Sequence, residues 1–275
     1  GRNLTGRAGV FNDKVKQDSV SISKTGFDFG IGFEAAQDYY HNVGYELSQS
    51  KTTESSKTAT SITGENGAQI LTSAASYVVG QDRLDNRLDP SEGTLFELRQ
   101  ELAGIGGDAK FYKVTGRAAY YRPVNFNALF FGVKGRASQV VGLGEKVTQS
   151  QRFFLGGRDV RGFALSGIGP RDTGSKAAVG GNTLVTGSVE VVSHLGLSKD
   201  LNMRWTVFSD FGSVWGTDYP SGVTGANDKS MCSSVGVGLL WDTVVGPLSF
   251  YWANPVSKKS YDKTKTFQFT IGTRL

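Results

Sequence analysis

The sequence has very little cysteine and histidine, and this limits the chemistry that it can perform. Its single cysteine, Cys232, excludes a disulfide within the chain and excludes zinc or iron–sulfur sites built on several cysteines. The two histidines, His41 and His194, lie far apart without ligand spacing, and no Ser-His-Asp pattern is present. The glycine turn "GLGEKV" has no helical pattern after it, which argues against a phosphate-binding loop. We therefore predict no enzyme activity, no metal and no cofactor.

Long hydrophobic runs and clustered charges are also absent. No stretch approaches the roughly 18 consecutive apolar residues that a transmembrane helix needs. No charged and then apolar leader is visible, and the opening "GRNLTGRAGVF" looks like the middle of a domain, so we expect the true N-terminus to lie upstream. The net charge of +5 is mild and the lysines and arginines are dispersed, which argues against nucleic acid as a partner.

What the sequence does contain is a regular alternation of apolar and polar residues. In "TGFDFGIGFE", Phe27, Phe29 and Ile31 fall on one face, whereas Asp28 and Gly30 fall on the other. This period of two is typical of β-strands, because successive side chains of a strand point to opposite faces. No helical pattern of useful length separates the segments that show it. Twelve segments are predicted as strands, at 4–13, 24–35, 40–51, 69–82, 94–103, 110–122, 128–142, 183–193, 202–215, 231–242, 246–254 and 266–274.

The connections between these segments alternate between short and long. Short ones are "AAQDY", "RPVNFN", "HLGLSKD" and "TVVG", together with a tight turn at "LDNRLDPSEG". The long ones all fall on the opposite side of the meander, at 52–68, 143–182, 216–230 and 255–265, with shorter versions at 14–23 and 104–109. Short turns at one end and long loops at the other are typical of outer-membrane barrels.

These patterns predict an all-β fold in one domain over residues 1–275: a transmembrane, antiparallel, up-and-down β-barrel. A sheet in lipid must close, because lipid cannot satisfy the hydrogen bonds of a free edge. The charged face of each strand would line a wet interior, and the apolar face would meet lipid. A soluble β-sandwich, with its apolar face packed inward, is the alternative. Aromatic residues near strand ends fit interfacial girdles: Tyr39, Tyr40, Tyr120, Tyr121, Trp205, Trp215, Trp241, Tyr251 and Trp252.

The longest loop, 143–182, is unusually apolar for a loop in water. Its glycines at 156, 157 and 162 allow tight turns with positive φ. The alternation places Glu190 and Asp210 on the polar face of the two strands that follow. A loop folded back into the barrel would bring Arg161 to both carboxylates, because a guanidinium group can hold two of them. A flexible, solvated loop is the alternative. The large apolar side chains are Phe153, Phe154, Leu155, Val160 and Phe163.

Within this loop, "GGRDVRGF" resembles the Val-Arg-Gly-Phe signature of the BamA-type outer-membrane protein assembly superfamily, which includes TamA, two-partner-secretion transporters and organelle relatives. "GGNTLVTGSVEVV", "VFSDFGSVW", "SSVGVGLLWDTVVGPLSFYWANPVSK" and "FQFTIGTRL" are similar to the strands that follow and close the family's barrel. "RLDNRLDPSEGTLFELRQELAG" is similar to an earlier hairpin, in the form of alphaproteobacterial members. The resemblance spans most of the chain.

The resemblance implies a lock inside the barrel. In the family, the signature lies in the sixth extracellular loop, which tucks into the lumen. Arg161 would pair with Asp210 and Glu190, while the residues after it would determine the bend and the packing of the loop. The same pair could serve only to brace the barrel. The residues of this lock are Val160, Arg161, Gly162, Phe163, Glu190 and Asp210.

The resemblance also implies that parts of the family's architecture are not in the sequence. Family barrels have sixteen strands, preceded by periplasmic POTRA domains. By its motifs, the first segment here corresponds to the fifth family strand, so four strands and all POTRA domains are expected to be absent. The family's last strand forms a lateral gate with the first. The corresponding residues here are Phe267, Phe269, Ile271 and the terminal Leu275, which stands in place of the usual terminal aromatic residue.

The function implied by the resemblance involves no covalent chemistry. The chain would be an integral part of the bacterial outer membrane and would fold and insert other outer-membrane proteins. Its expected partners are outer-membrane lipids, unfolded outer-membrane proteins and, through the missing periplasmic domains, the lipoproteins of the assembly machine. A two-partner-secretion or TamA-like translocator, a passive porin and a soluble β-rich binding module are the alternatives.

Overall fold

The chain folds into one large antiparallel sheet and two short strand pairs. The computed structural model describes residues 4–17, 20–54, 67–87, 89–124, 129–195, 202–219, 221–243 and 246–271. The strands within these residues are β1 (Leu4–Gln17), β2 (Val20–Ala36), β3 (Tyr39–Glu54), β4 (Gln69–Asp82), β5 (Gly93–Ala103), β6 (Phe111–Val124), β7 (Leu129–Gly142), β8 (Gly162–Phe163), β9 (Arg171–Asp172), β10 (Thr183–His194), β11 (Met203–Trp215), β12 (Val223–Thr224), β13 (Cys232–Thr243), β14 (Gly246–Ser257), β15 (Thr264–Lys265) and β16 (Phe267–Ile271).

Twelve of these strands form a single meander, in the order β1-β2-β3-β4-β5-β6-β7-β10-β11-β13-β14-β16. Each strand pairs antiparallel with the next, which confirms the all-β fold and the twelve strands predicted from the alternation. The remaining two-residue strands belong to the long connections, where β8 pairs with β15 and β9 with β12. Except at the β1–β2 connection, the meander therefore places the short turns at one end of the sheet and the long connections at the other.

The first hairpin is longer than the alternation predicts. The pairing of β1 with β2 continues from Leu4 opposite Phe33 to Gln17 opposite Val20. The prediction of a loop over 14–23 is wrong: Lys14 pairs with Ser23, and Val15 pairs with Ile22. The outward positions here hold lysine and serine, and Ile22 is buried on the opposite face, so the apolar alternation that indicates the other strands is lost.

The two faces of the sheet have the reverse of the polarity found in soluble proteins. The outward face exposes large apolar side chains, such as Val10 at 88%, Phe29 at 52% and Val237 at 51%. The opposite face, called the inner face from here on, carries most of the buried polar residues. These include Ser48, Ser50, Thr72, Ser138, Ser188, Thr206, Asp210, Ser234 and Ser249. A soluble sandwich would bury the first set and expose the second, so this arrangement argues against it.

The sheet is not closed. Within the ranges given above, β1 pairs only with β2 and β16 pairs only with β14, so the expected closure of the barrel is not reached by these twelve strands. Strand number and tilt together determine whether a sheet closes, and this meander ends in two free edges. In the part of the chain that the structure describes, no helix is long and apolar enough to cross a membrane.

Candidate functional site

The long loop between β7 and β10 packs against the inner face of the sheet. Four of its buried apolar side chains form a cluster with three residues from neighbouring strands, and none of the cluster members is more than 3% exposed. Burying a side chain of this size contributes roughly 1.5–3 kcal/mol, so the loop is held by an apolar core of its own. The members are Leu155, Val160, Phe163 and Ile168 from the loop, with Leu184 of β10, Val214 of β11 and Cys232 of β13.

Arg161 forms a bidentate ion pair with Asp210 at the centre of this site. Its Nε lies 2.7 Å from Asp210 Oδ2, and its Nη2 lies 2.7 Å from Asp210 Oδ1. The backbone N–H of Arg161 also donates to Asp210 Oδ2, at 3.0 Å. Two parallel N–H···O bonds of this kind determine the orientation as well as the strength of an ion pair. Asp210 is 1% exposed, so its charge is shielded from solvent.

Two residues of β10 complete the polar contacts of Arg161. Ser188 lies directly opposite Asp210 in the β10–β11 register. Its hydroxyl donates to Asp210 Oδ1 at 2.7 Å and accepts from Arg161 Nη2 at 3.1 Å. Glu190 Oε2 lies 3.5 Å from Arg161 Nη1, and Glu190 also lies 3.9 Å from Lys134. Arg161 therefore contacts both predicted carboxylates, with Asp210 as the closer partner.

The Arg161 guanidinium lies against two aromatic rings that contact each other edge to face. Its central carbon lies 3.4 Å from the centre of the Phe208 ring and 5.0 Å from that of Tyr251. A cation over an aromatic face is attracted by the ring's negative face. Burial by itself would lower the pKa of Arg161, but the hydrogen bond and the charge of Asp210 outweigh burial and raise that pKa above its ordinary value. The surroundings of Arg161 therefore favour the charged form of its guanidinium.

Glycines determine the path of the loop around Arg161. Gly156, Gly157 and Gly162 have φ values of +126°, +65° and +92°, a region that favours glycine. A Cβ on Gly162 would lie 3.2 Å from the Cβ of Ala253 on β14. The positive φ values agree with the tight turns expected from the sequence, and the close approach to β14 explains why a side chain is excluded at Gly162.

A second contact joins the loop to the end of the chain. The backbone of β8 pairs with β15, with Phe163 opposite Thr264 and Gly162 opposite Lys265. The side-chain amide of Gln268, in β16, donates to the carbonyl oxygen of Phe163 at 2.7 Å. The segment around Arg161 thus bridges β10 and β11 on one side and the last strand on the other.

Two further buried arginines brace the loop internally. Arg152 Nη2 donates to the carbonyl of Val147 at 2.7 Å. Arg171 Nη2 donates to the carbonyls of Ser166 and Gly167, both at 2.8 Å. These contacts satisfy carbonyl groups that a folded loop removes from water. No sequence pattern indicates the role of either arginine.

The predicted residues of the last strand lie on its outward face. Phe267, Phe269 and Ile271 are all about half exposed or more, and they pair with Trp252, Phe250 and Leu248 of β14. The rings of Phe250 and Phe269 are 5.0 Å apart, and those of Trp252 and Phe267 are 5.1 Å apart. None of them is directed at the loop. Leu275 lies outside the described residues.

A cavity of about 450 Å³ separates the loop from the short-turn end of the sheet. The turn between β4 and β5 lies over this end rather than pointing away from it. Its Asp89 forms an ion pair with Arg204 of β11 at 2.6 Å. Its Leu84 packs on a cluster of inner-face residues: Tyr121 of β6, Phe130 of β7, Val192 of β10 and Leu240 of β13.

Three of the predicted girdle residues are directed inward instead. Tyr121 is buried and lines the cavity, Tyr40 donates to Glu97 at 2.9 Å, and Tyr251 lies against Arg161. Their assignment to an interfacial girdle is therefore wrong. A residue near a strand end can point to either face of the sheet. Successive side chains of a strand point to opposite faces, so the position of the residue in this alternation decides its face.

Several residues that contact Arg161 and Phe163 were not predicted from the sequence. Ser188, Phe208 and Gln268 all share the inner face with Asp210 or with the polar side of the last strand. Alternation indicates that face for each of them, but it does not show which residues lie under the loop. The site therefore contains more residues than the motif alone indicates.

Comparison with known proteins places this sheet and its loop in a family. A family model of the Omp85 superfamily domain matches residues 1–275. The chain belongs to the Omp85 superfamily. This membership confirms the resemblance to BamA-type proteins and the expected location as an integral protein of the outer membrane.

Two sequence relatives of this Omp85 chain carry the same name. The outer membrane protein assembly factor BamA of Neorickettsia risticii (strain Illinois) is 32% identical over 273 residues, which cover 98% of this chain and 36% of that protein. The protein of the same name from Neisseria meningitidis serogroup B is 28% identical over 220 residues, covering 70% of this chain and 28% of that protein. These names describe an assembly factor and indicate no enzymatic activity.

One solved structure is similar along nearly the whole Omp85 chain. The crystal structure of BamA from Haemophilus ducreyi lacking POTRA domains 1-3 matches with a TM-score of 0.82 and 25% identity. The match covers 99% of this chain and 59% of that one. The chain thus spans little more than a third of the length of the Neorickettsia risticii protein and about three fifths of the crystallised Haemophilus ducreyi chain.

Proposed function

We propose that this Omp85 chain forms most of a transmembrane barrel that folds and inserts other outer-membrane proteins. Its relatives over 98% and 70% of the chain are named assembly factors. The reversed polarity of the two faces suits a sheet with lipid outside and water inside. Four further strands, as in sixteen-stranded family barrels, would supply the closure that the twelve strands lack.

The observation that carries this proposal is the exposed apolar face of a twelve-stranded sheet that matches the Omp85 domain over its whole length. The proposed site of action is the outer edge of β16, which in family barrels meets the first strand, so opening of that contact would free the N–H and C=O groups of the edge. An unpaired edge is a template for another extended chain. Main-chain hydrogen bonds to such an edge can bind strands of many sequences, because they do not depend on side chains. An unfolded outer-membrane protein is the proposed substrate.

The loop and its lock have a proposed role in keeping this edge in place. Arg161 and Asp210 hold the loop against β10 and β11, and β8 holds it against β15. Because the loop and the β4–β5 turn both cover the inner face, an open water channel of the porin type is disfavoured. Outer-membrane lipids would surround the apolar face. Contacts with assembly-machine lipoproteins are proposed for the periplasmic POTRA domains expected of the family.

Reconstitution tests the proposed function directly. The whole gene product is inserted into liposomes, and a urea-unfolded outer-membrane protein is added. We expect folded substrate to accumulate severalfold faster than in liposomes with an equal mass of a porin, measured by the heat-sensitive mobility of the folded band on a gel. Equal rates would contradict assembly activity, and rapid flux of small sugars in the same liposomes would favour a porin.

A charge on the outward face tests the membrane orientation. Val237 lies near the middle of β13 and is half exposed. If this face meets lipid, Val237→Arg should reduce the free energy of unfolding by about 2–4 kcal/mol, because a guanidinium is poorly solvated at the centre of a bilayer. Val237→Leu is the uncharged control. Equilibrium unfolding in lipid vesicles measures both variants, and a change within about 0.5 kcal/mol, as at a water-exposed surface, would exclude this orientation.

A further inference from the structure

Within the described residues, the last strand of the main sheet, β16, pairs with β14 from Phe267 opposite Trp252 to Ile271 opposite Leu248. In that part of the chain, β14 is its one partner in the main sheet. A side-chain contact from β16 to the loop therefore adds to the attachment of this strand.

Gln268 gives this strand a second attachment. It is an inward-facing residue of β16, between the outward-facing Phe267 and Phe269. Its side-chain Nε2 donates to the carbonyl oxygen of Phe163 at 2.7 Å. The same carbonyl accepts from the backbone N–H of Gly157 at 3.1 Å, so both of its lone pairs are used. The bond from Gln268 thus reaches an ordered group within the loop, not a mobile surface.

The loop on the other side of this bond is itself tied to distant strands. Ala164 N–H donates to the carbonyl of Lys263, and Lys263 N–H donates to the carbonyl of Gly167, both at 2.9 Å. Two residues before Phe163, Arg161 is anchored to Asp210. The few residues from 161 to 164 therefore connect β11 with the segment that leads into β16 and, through Gln268, with β16 itself.

From this geometry we infer that Gln268 is a positioning residue that couples the loop to the last strand. With the loop bound to Asp210, the Phe163 carbonyl holds Gln268 and keeps β16 in register with β14. When the loop is released, β16 loses this attachment and separates from β14 more readily. The biological role of this coupling rests on the proposed assembly function. The coupling itself is a property of the fold.

Hydrogen exchange on the whole protein in lipid nanodiscs tests the coupling. Gln268→Met removes the amide donor at nearly the same side-chain length. We expect the backbone amides of 267–271 to exchange about fivefold faster, the ratio that corresponds to one ordinary hydrogen bond. Thr270→Val, at the next inward-facing position of β16, is the matched control and should leave exchange unchanged. The heat-sensitive gel band verifies that each variant is folded.

A double-variant cycle separates coupling from simple local damage. Arg161→Ala should also accelerate exchange in 267–271, although its ion pairs lie on β10 and β11. In the Gln268→Met background, Arg161→Ala should add nothing further at the last strand. The inference is overturned if Gln268→Met leaves exchange at 267–271 unchanged, or if Arg161→Ala has the same effect on that strand in both backgrounds. Gln268→Glu, which places an acceptor against the Phe163 carbonyl, should reproduce Gln268→Met if the latter folds poorly.

The exchange readout is independent of substrate folding. If the reconstituted protein fails to accelerate folding but the cycle shows coupling, the proposed function fails and the positioning role stands. If folding is accelerated but the cycle shows no coupling, the proposed function stands and the positioning role of Gln268 fails.

Discussion

Replacing Arg161 by alanine is expected to destabilise the folded protein more than any other single charge change in the loop. The substitution leaves Asp210 buried without its cation, and breaking a buried ion pair in this way costs about 3–5 kcal/mol. The cavity of about 450 Å³ next to the pair can admit water to Asp210 once the arginine side chain is removed, so we expect a loss below the top of that range. The temperature at which the folded band disappears on a gel measures it.

Arg158→Ala provides the matched control for this substitution. Arg158 lies three residues earlier in the same loop but is exposed, so its removal should leave the band's heat resistance almost unchanged. Asp210→Asn combined with Arg161→Ala should recover part of the lost stability, because no unpaired charge then remains buried. An unchanged band for Arg161→Ala would eliminate the lock as a source of stability.

Phe163→Ala should produce a loss of similar size by a different mechanism. Phe163 is fully buried in the apolar cluster of the loop, between the loop's own side chains and those of β10, β11 and β13. Truncating a buried phenylalanine costs about 3–5 kcal/mol, because the removed ring leaves a cavity that the rigid surroundings fill only in part. We expect the loop to become accessible to trypsin, which cleaves after its arginines, before the sheet unfolds.

The neighbouring Leu165 offers the control for Phe163. It is 60% exposed in the same loop, so Leu165→Ala should change neither trypsin cleavage nor heat resistance appreciably. Equal behaviour of the two variants would show that the loop is not held by its apolar cluster. Together the two substitutions distinguish a loop held by charge alone from one held by charge and packing.

The loop therefore depends on three kinds of contact that reinforce one another. The apolar cluster removes it from water, the Arg161–Asp210 pair sets its position over β10 and β11, and β8 with Gln268 ties it to the end of the chain. Only residues that lie on the inner face can make these contacts. A motif of four residues, from Val160 to Phe163, therefore contacts strands that are distant in sequence.

Much of the sheet could be predicted from the sequence, because a strand's alternation is a local property. Residues two apart share a face, so the exposure of Phe27, Phe29 and Ile31 and the burial of Asp210 follow from position alone. The alternation of short and long connections likewise predicted that each strand pairs with the next one along the chain. Where the alternation contained lysine and serine instead of apolar residues, as in 14–23, the same reasoning failed.

What the sequence determined by itself was therefore the strands, their faces and the motif that draws attention to the loop. Only the tertiary structure decided which inner-face residues the loop covers: Ser188, Phe208 and Gln268 rather than their neighbours. It also decided that the β4–β5 turn lies over the inner face and that Tyr121 lies inside. The physical reason is that alternation assigns a side to each residue, whereas contacts between distant segments depend on the register and curvature of the whole sheet.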